Sequence, residues 1–319
     1  MVSLAVAEPE AADATGMFRQ GPSNCGGRAD DGKVGSPHRE GVGMESVVLD
    51  GGVRIAYELR GAGQPVVLVG GTGMPPVAWE LCGLRDALVD AGCEVVTYAA
   101  RGVAPSDAPP APYSMADMAG DLAGLLDALD IRSAVVIGYS LGSFTAELLV
   151  RTRPDLVRSM VLMAGAGPVT GVLEAVLDAE AEVIGATGRL PAAFLRLQTL
   201  LTTLPGQVLL EDEKQVREWL ELLGAQDDVW ASPVGAVGQS TAADGWLRDP
   251  GRIAALADVD VPVLVLAFEA DLYFPPRAAR VAAEVLPQGT FVTLPGAHGG
   301  LLTHPAETTA AILGFLTRS

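Results

Sequence analysis

The chain has 319 residues, 49% of them apolar, and a formal net charge of −18. Such a carboxylate excess argues against a nucleic-acid partner or a polybasic membrane contact, because phosphate and anionic lipid attract the opposite sign. Its three cysteines, Cys25, Cys82 and Cys93, lack C-x-x-C spacing and cannot form a disulfide framework, and no apolar run is long enough to span a bilayer.

Residues 1–43 are rich in Gly, Ala, Asp and Pro without a sustained apolar period, and they read as a disordered tail. The short apolar run from Val2 to Ala7 has no preceding Lys or Arg. It is a poor secretory signal, so a cytoplasmic protein is expected. From Met44 the chain alternates between strand and helix patterns. Glu45–Leu49 and Val53–Leu59 flank Asp50-Gly51-Gly52, a hairpin signal. Pro65–Gly70 is the next strand, Leu81–Ala91 a helix, Glu94–Ala99 a strand and Met115–Leu129 a helix with apolar residues at helical spacing. Ala134–Ile137 is an apolar strand, Ser143–Val150 a helix and Ser159–Met163 a sixth strand.

The rhythm then changes. Residues 168–255 offer no convincing strand but four helical patterns: Val172–Ile184, Pro191–Thr203, Glu211–Leu223 and Pro233–Leu247. Strands return at Val261–Phe268 and Thr290–Leu294, with helices at Arg277–Val285 and Ala306–Leu316. The expected fold is α/β, a mostly parallel sheet flanked by helices. It divides into a core at 44–167 and 256–319 and an all-helical cap at 168–255, inserted after the sixth strand.

Between the fifth strand and its helix stands Gly138-Tyr139-Ser140-Leu141-Gly142. G-x-S-x-G in that setting is a nucleophile elbow: glycines let backbones pass closely while a strained serine is held at a helix N-terminus. Asp271 follows the seventh strand and His298 the eighth. The order Ser140, Asp271, His298, each just beyond a strand's carboxyl end, is that of an α/β-hydrolase triad. Ser140 is the candidate nucleophile and His298 its base, because His38 lies in the tail and His304 at a helix entry. Asp271 would orient the histidine, with Glu269 the competing acid. Leu141, directly after the serine, is a candidate oxyanion donor through its backbone N–H, partnered by the loop Gly70-Gly71-Thr72-Gly73. That loop lacks the Gly-Lys-Ser/Thr ending of a phosphate cradle. Trp79, Tyr139 and Phe144 are candidate pocket walls, as are Leu197, Leu201 and Trp219 from the helical segment. Arg101 is expected to bond loop carbonyls and support the site. No metal or organic cofactor is expected.

Residues from about 45 onward resemble the α/β-hydrolase fold superfamily in its capped form, and within it the actinobacterial esterases, including methyl esterases acting on polyketides. The residues that carry the resemblance are Gly70-Gly71-Thr72-Gly73 with Trp79, Arg101-Gly102 with Ser106, the elbow, Asp258-Val259-Asp260-Val261-Pro262 leading to Asp271, Pro275, and His298. The resemblance implies that Asp271 is the acid and that Thr72, with Gly71 the alternative, supplies the second oxyanion donor. The apolar helical cap points to a moderately large, apolar small molecule. The expected activity is hydrolysis of its carboxylic ester, or of a thioester or lactone, in specialised metabolism. The alternatives are an acyltransferase, lyase or cyclase using the same site, or a ligand-binding receptor.

Overall fold

The computed structural model describes residues 44–224 and 229–318. The tail expected at 1–43 lies outside the described residues. Eight strands form one sheet: β1 (Glu45–Val48), β2 (Arg54–Gly61), β3 (Gln64–Val69), β4 (Cys93–Tyr98), β5 (Ala134–Tyr139), β6 (Val157–Met163), β7 (Val263–Phe268) and β8 (Gly289–Leu294), in the spatial order β1-β2-β4-β3-β5-β6-β7-β8. The hairpin β1–β2 and the pair β2–β4 are antiparallel; every other pairing is parallel.

The near-continuous apolar runs of β3 to β7 reflect burial on both faces. Register makes this concrete. Val96, Val67, Val136, Met160 and Val263 stand side by side across five strands and join the apolar layer on one face. Their neighbours Val95, Val66 and Val135 belong to the layer on the other face. The helices α3 (Met115–Ala128), α4 (Leu141–Thr152) and α10 (Pro276–Val285) cover the first layer, and α2 (Leu84–Asp90) and α12 (Pro305–Leu316) the second. Ser114 begins α3 with a capping box closed by Asp117, a device that typically contributes about 1 kcal/mol.

All eight expected strands are present, each end shifted by two residues or fewer. One expected helix is divided, and another is preceded by a helix that was not expected. Leu81–Ala91 is instead α1 (Ala78–Leu81) and α2, separated at Gly83, whose φ of 71° leaves the helical region. The expected Glu211–Leu223 is α8 (Glu213–Gly224); the helix not expected is α7 (Gly206–Glu211), separated from it at Asp212, whose carboxylate accepts from the Gln215 N–H at 3.0 Å. The short α11 (Gly300–Thr303), directly after His298, had no visible period.

Between β6 and β7 the described chain carries five helices, α7 and α8 together with α5 (Gly171–Thr187), α6 (Ala192–Thr203) and α9 (Pro233–Leu247). Its one β contact is an isolated bridge from Trp230 to Val103.

Candidate active site

Ser140 sits between β5 and α4 with φ 52° and ψ −119°, a conformation unfavourable for a residue with a Cβ. Such a residue typically costs about 1–3 kcal/mol and persists only where its surroundings hold it. Its N–H donates to the Met163 carbonyl at 2.9 Å, and its carbonyl accepts from the Ser143 N–H at 2.8 Å. The Ser143 hydroxyl, donating towards Gly138 and Met163 carbonyls at 3.0 and 3.2 Å, ties the same turn to β6. A Cβ at Gly138 would meet the Gly142 and Ser143 backbone, and one at Gly142 would meet Val69 and Gly70. The elbow therefore requires both glycines.

Asp271 and His298 complete a hydrogen-bonded chain. His298 Nε2 lies 3.1 Å from Ser140 Oγ, and its Nδ1 lies 2.9 Å from Asp271 Oδ2. The Asp271 side chain is fully buried, and its other oxygen accepts from the Tyr273 and Phe274 N–H groups at 2.8 and 3.0 Å. A carboxylate can only accept, so Nδ1 carries the imidazole proton and Nε2 is left to accept from the serine hydroxyl. Glu269, the competing acid, is exposed. The imidazole lies among three rings: Tyr139 at 5.6 Å, Phe274 at 6.0 Å and Tyr273, edge-on, at 5.1 Å between centroids. The Tyr139 hydroxyl also donates to the His298 carbonyl at 2.9 Å. Burial, with the carboxylates of Glu180 and Asp271 nearby, pushes the Tyr273 phenol up, so it remains a neutral hydroxyl. Among the described residues no group of His, Cys, Asp and Glu is placed to hold a metal ion, and no helix is long and apolar enough to cross a membrane.

Residues 64–305 match the α/β hydrolase fold family. The chain belongs to that family. The hydrolase is 27% identical over 279 residues to rhodomycin D methylesterase of Streptomyces peucetius, covering 81% of this chain and 92% of that protein. Among solved structures it is similar to BpoC of Mycobacterium tuberculosis H37Rv, named as a candidate non-heme bromoperoxidase. The TM-score is 0.74 at 30% identity, covering 83% of this chain and 96% of that one. A hydrolase from Pseudomonas aeruginosa PA01 gives a TM-score of 0.72 at 26% identity, with 86% and 98% covered.

The other candidate residues of the hydrolase fall in varied places. Leu141 is the first residue of α4, where an N–H has no acceptor within the helix. Gly71 is buried so close to the elbow that a Cβ there would lie 3.1 Å from Ser140 Cβ, while Thr72 is exposed. Trp79, expected as a pocket wall, is only 1% exposed and packs with Val66, Leu68 and Leu84 in the core beneath the sheet. Its indole starts α1 on the inner side, so it is not a wall. Phe144 is buried too, stacked between Phe274 and the Arg252 guanidinium, 5.3 Å from its ring. Tyr139 supports His298 through its hydroxyl, and its ring lies with Ser140 beside Gly71.

Leu197 and Leu201 are 54% and 45% exposed. The inward face of α6 is carried instead by Leu200 and Thr203, one residue out of phase with the expected pair. Trp219 is half-buried on α8, which packs along α6. Arg101 does not bond loop carbonyls: its guanidinium grips Asp121 of α3 in a two-pronged pair, Nε–Oδ2 at 2.6 Å and Nη2–Oδ1 at 2.7 Å. A planar fork matches a carboxylate better than it matches separate carbonyls.

Sequence reasoning missed four contacts at the site. Thr203 presses on Gly299, the residue after His298. Glu180 on α5 accepts from Ser240 of α9 and from Gln198 of α6, tying three helices together beside Tyr273. Gln239 of α9 reaches the loop after β3. None of these has a local sequence signature, since each partner lies tens of residues away.

Proposed function

We propose that this hydrolase cleaves a carboxylic ester through an acyl-enzyme, with Ser140 as nucleophile, His298 as base and then acid, and Asp271 as the group that orients the imidazole. The observation that carries this reading is the continuous chain from Asp271 Oδ2 through His298 to Ser140 Oγ, with links of 2.9 and 3.1 Å. As Oγ attacks the ester carbonyl, Nε2 takes its proton. The buried Asp271 charge stabilises the resulting imidazolium, which then gives the proton to the leaving alcohol. Water clears the acyl group by the same route.

Developing negative charge on the carbonyl oxygen would be met by the Leu141 N–H and by Thr72, or alternatively Gly71, in the loop after β3. Such preorganised donors each contribute about 3–4 kcal/mol to the transition state. The helices within 168–255 act as a cap that sets substrate choice. The apolar character of that segment, together with the likeness to a methylesterase of Streptomyces peucetius, supports an apolar natural-product ester as the substrate class and specialised metabolism as the setting.

The test is direct. Ser140 should be labelled by a fluorophosphonate and identified by peptide mass spectrometry, and Ser140→Ala and His298→Ala should each lower ester turnover by about 10⁴-fold or more while leaving the fold intact. Labelling elsewhere, or retention of turnover in Ser140→Ala, would refute the assignment.

A further inference from the structure

Gln239 lies on α9, within the helical segment, yet neither end of its amide is used there. Its Oε1 accepts the Gly73 N–H at 2.9 Å, and its Nε2 donates to the Arg101 carbonyl at 2.9 Å. The side chain is completely buried. One amide therefore joins the loop after β3 to the loop after β4, and both of its ends are satisfied. Arg101 is itself fixed by Asp121, so one end of this strut is anchored in α3. The other end holds the peptide between Thr72 and Gly73, one peptide away from the proposed oxyanion donor at Thr72.

A second contact acts at the same point. The Trp230 indole covers Gly73 so closely that a Cβ there would lie 2.7 Å from its ring. Trp230 is held in turn against the β4 loop, with Ala231 N–H donating to Gly102 and Ala104 N–H to Val229, both at 2.9 Å. The segment entering α9 thus grips both loops.

We propose that Gln239 is a positioning residue for the oxyanion loop, so that α9 serves the chemistry as well as the enclosure of substrate. The proposal rests on the serine-hydrolase reading of the site. It replaces a simple division of labour, in which the core catalyses and the inserted helices only select. Without the Gln239 bond the Gly73 N–H loses a buried acceptor, and the loop can turn its donors away from the carbonyl oxygen. Ground-state binding, made mainly by apolar contact, depends on this alignment far less than the transition state does.

Two variants test it, Gln239→Leu and Gln239→Glu, assayed on p-nitrophenyl butyrate from pH 5.5 to 8.5, with circular dichroism to establish folding. A neutral glutamic acid has the shape of glutamine and keeps both bonds, one as acceptor and one as donor, whereas its ionised form cannot donate to the Arg101 carbonyl. Charged groups around this point include Arg101 with its partners Asp117 and Asp121, and Glu180 bonded to the adjacent Ser240; they are common to all forms. The titration of the catalytic histidine cancels in the ratio of variant to parent. Gln239→Leu should lower kcat by about 10-fold or more with KM changed less than about 3-fold, and its ratio to the parent should be flat with pH. Gln239→Glu should be close to the parent at pH 5.5, and where it ionises it should lose only the Arg101 bond and be impaired less than Gln239→Leu, because the carboxylate still accepts the Gly73 N–H.

Unchanged kcat in folded Gln239→Leu, or a folded Gln239→Glu as impaired at pH 5.5 as Gln239→Leu, would overturn the proposal while leaving Ser140-dependent activity in place. If Ser140→Ala stays active in the same assay, the serine-hydrolase reading fails and this inference falls with it. Should Gln239→Leu not fold, the isosteric Gln239→Glu at pH 5.5 decides alone: kcat near the parent's supports the strut, and a loss of about 10-fold overturns it.

Discussion

Replacing Arg252 by methionine strands a carboxylate in the interior, and the structure gives the scale of the loss. Arg252 and Glu147 are 2% and 0% exposed in their side chains. The guanidinium donates to both Glu147 oxygens, at 2.9 and 3.0 Å, and to the Gly167 and Gly165 carbonyls at 2.8 and 3.3 Å. Arg252→Met keeps most of the buried volume but leaves Glu147 and two carbonyls without this partner. Breaking one side of a buried ion pair costs about 3–5 kcal/mol, and a carbonyl that loses its donor adds about 1–3 kcal/mol unless water reaches it. We expect a loss of about 4–6 kcal/mol by urea denaturation, and a fall in Tm on the order of 10 °C. The double variant Glu147→Met/Arg252→Met should recover most of that loss, since a well-packed apolar pair can equal a buried ion pair. The loop that Arg252 holds lies under the elbow, where a Cβ at Gly165 would be 2.5 Å from the Ser140 carbonyl. Fluorophosphonate labelling should therefore slow in Arg252→Met as well. A single variant that loses less than about 1 kcal/mol, or a double variant no more stable than the single, would refute this account of the interior charge.

Asp271→Asn should lower kcat by about 10³–10⁴-fold, and Glu269→Gln by less than about 3-fold; the reverse ranking in steady-state assays would exchange their roles. Burial pushes the Cys82 thiol up to about 11, so at pH 8 only about one thiol in a thousand is ionised. Cys82 should resist iodoacetamide in the native protein and react once urea unfolds it, as read by peptide mass spectrometry; rapid native labelling would contradict the packing around α2. Gly299→Ala would place a Cβ 2.5 Å from Thr203 Cγ2, pushing α6 away from the His298 loop, and it should change relative kcat/KM between short and long acyl esters. Deleting residues 1–43 should leave Tm and turnover nearly unchanged, because every core residue described above is retained; a large fall in a melting assay would show that the segment contributes to the folded body.

The strands were legible because each is an apolar run bounded by turn residues, as in Val263–Phe268 before Glu269 or Ala134–Ile137 before the elbow. The pairing of Ser140 with His298 and Asp271 followed from chain order on such strands. Where the reading missed, the deciding contact was remote. Trp79 looked like a wall because it follows the glycine-rich loop, but Leu84 and Leu88 of α2 enclose its layer. Arg101 meets a carboxylate 20 residues away on α3, and Arg252 finds Glu147 across 105 residues. The break at Gly83 was hidden because a lone glycine in a helical pattern is compatible with either continuation or a stop.

The bond between Ser140 and His298 spans 158 residues. During synthesis the strand carrying the serine, and the helices after it, leave the ribosome well before β7 and β8 exist. A nascent or truncated chain that ends after β6 but before residue 298 carries the elbow segment but lacks the proposed base. Long-range pairing of this kind is among the last contacts a chain can make. On the proposed reading, the serine gains its reactivity only when the final strand has joined the sheet, so incomplete chains should not hydrolyse esters through this site.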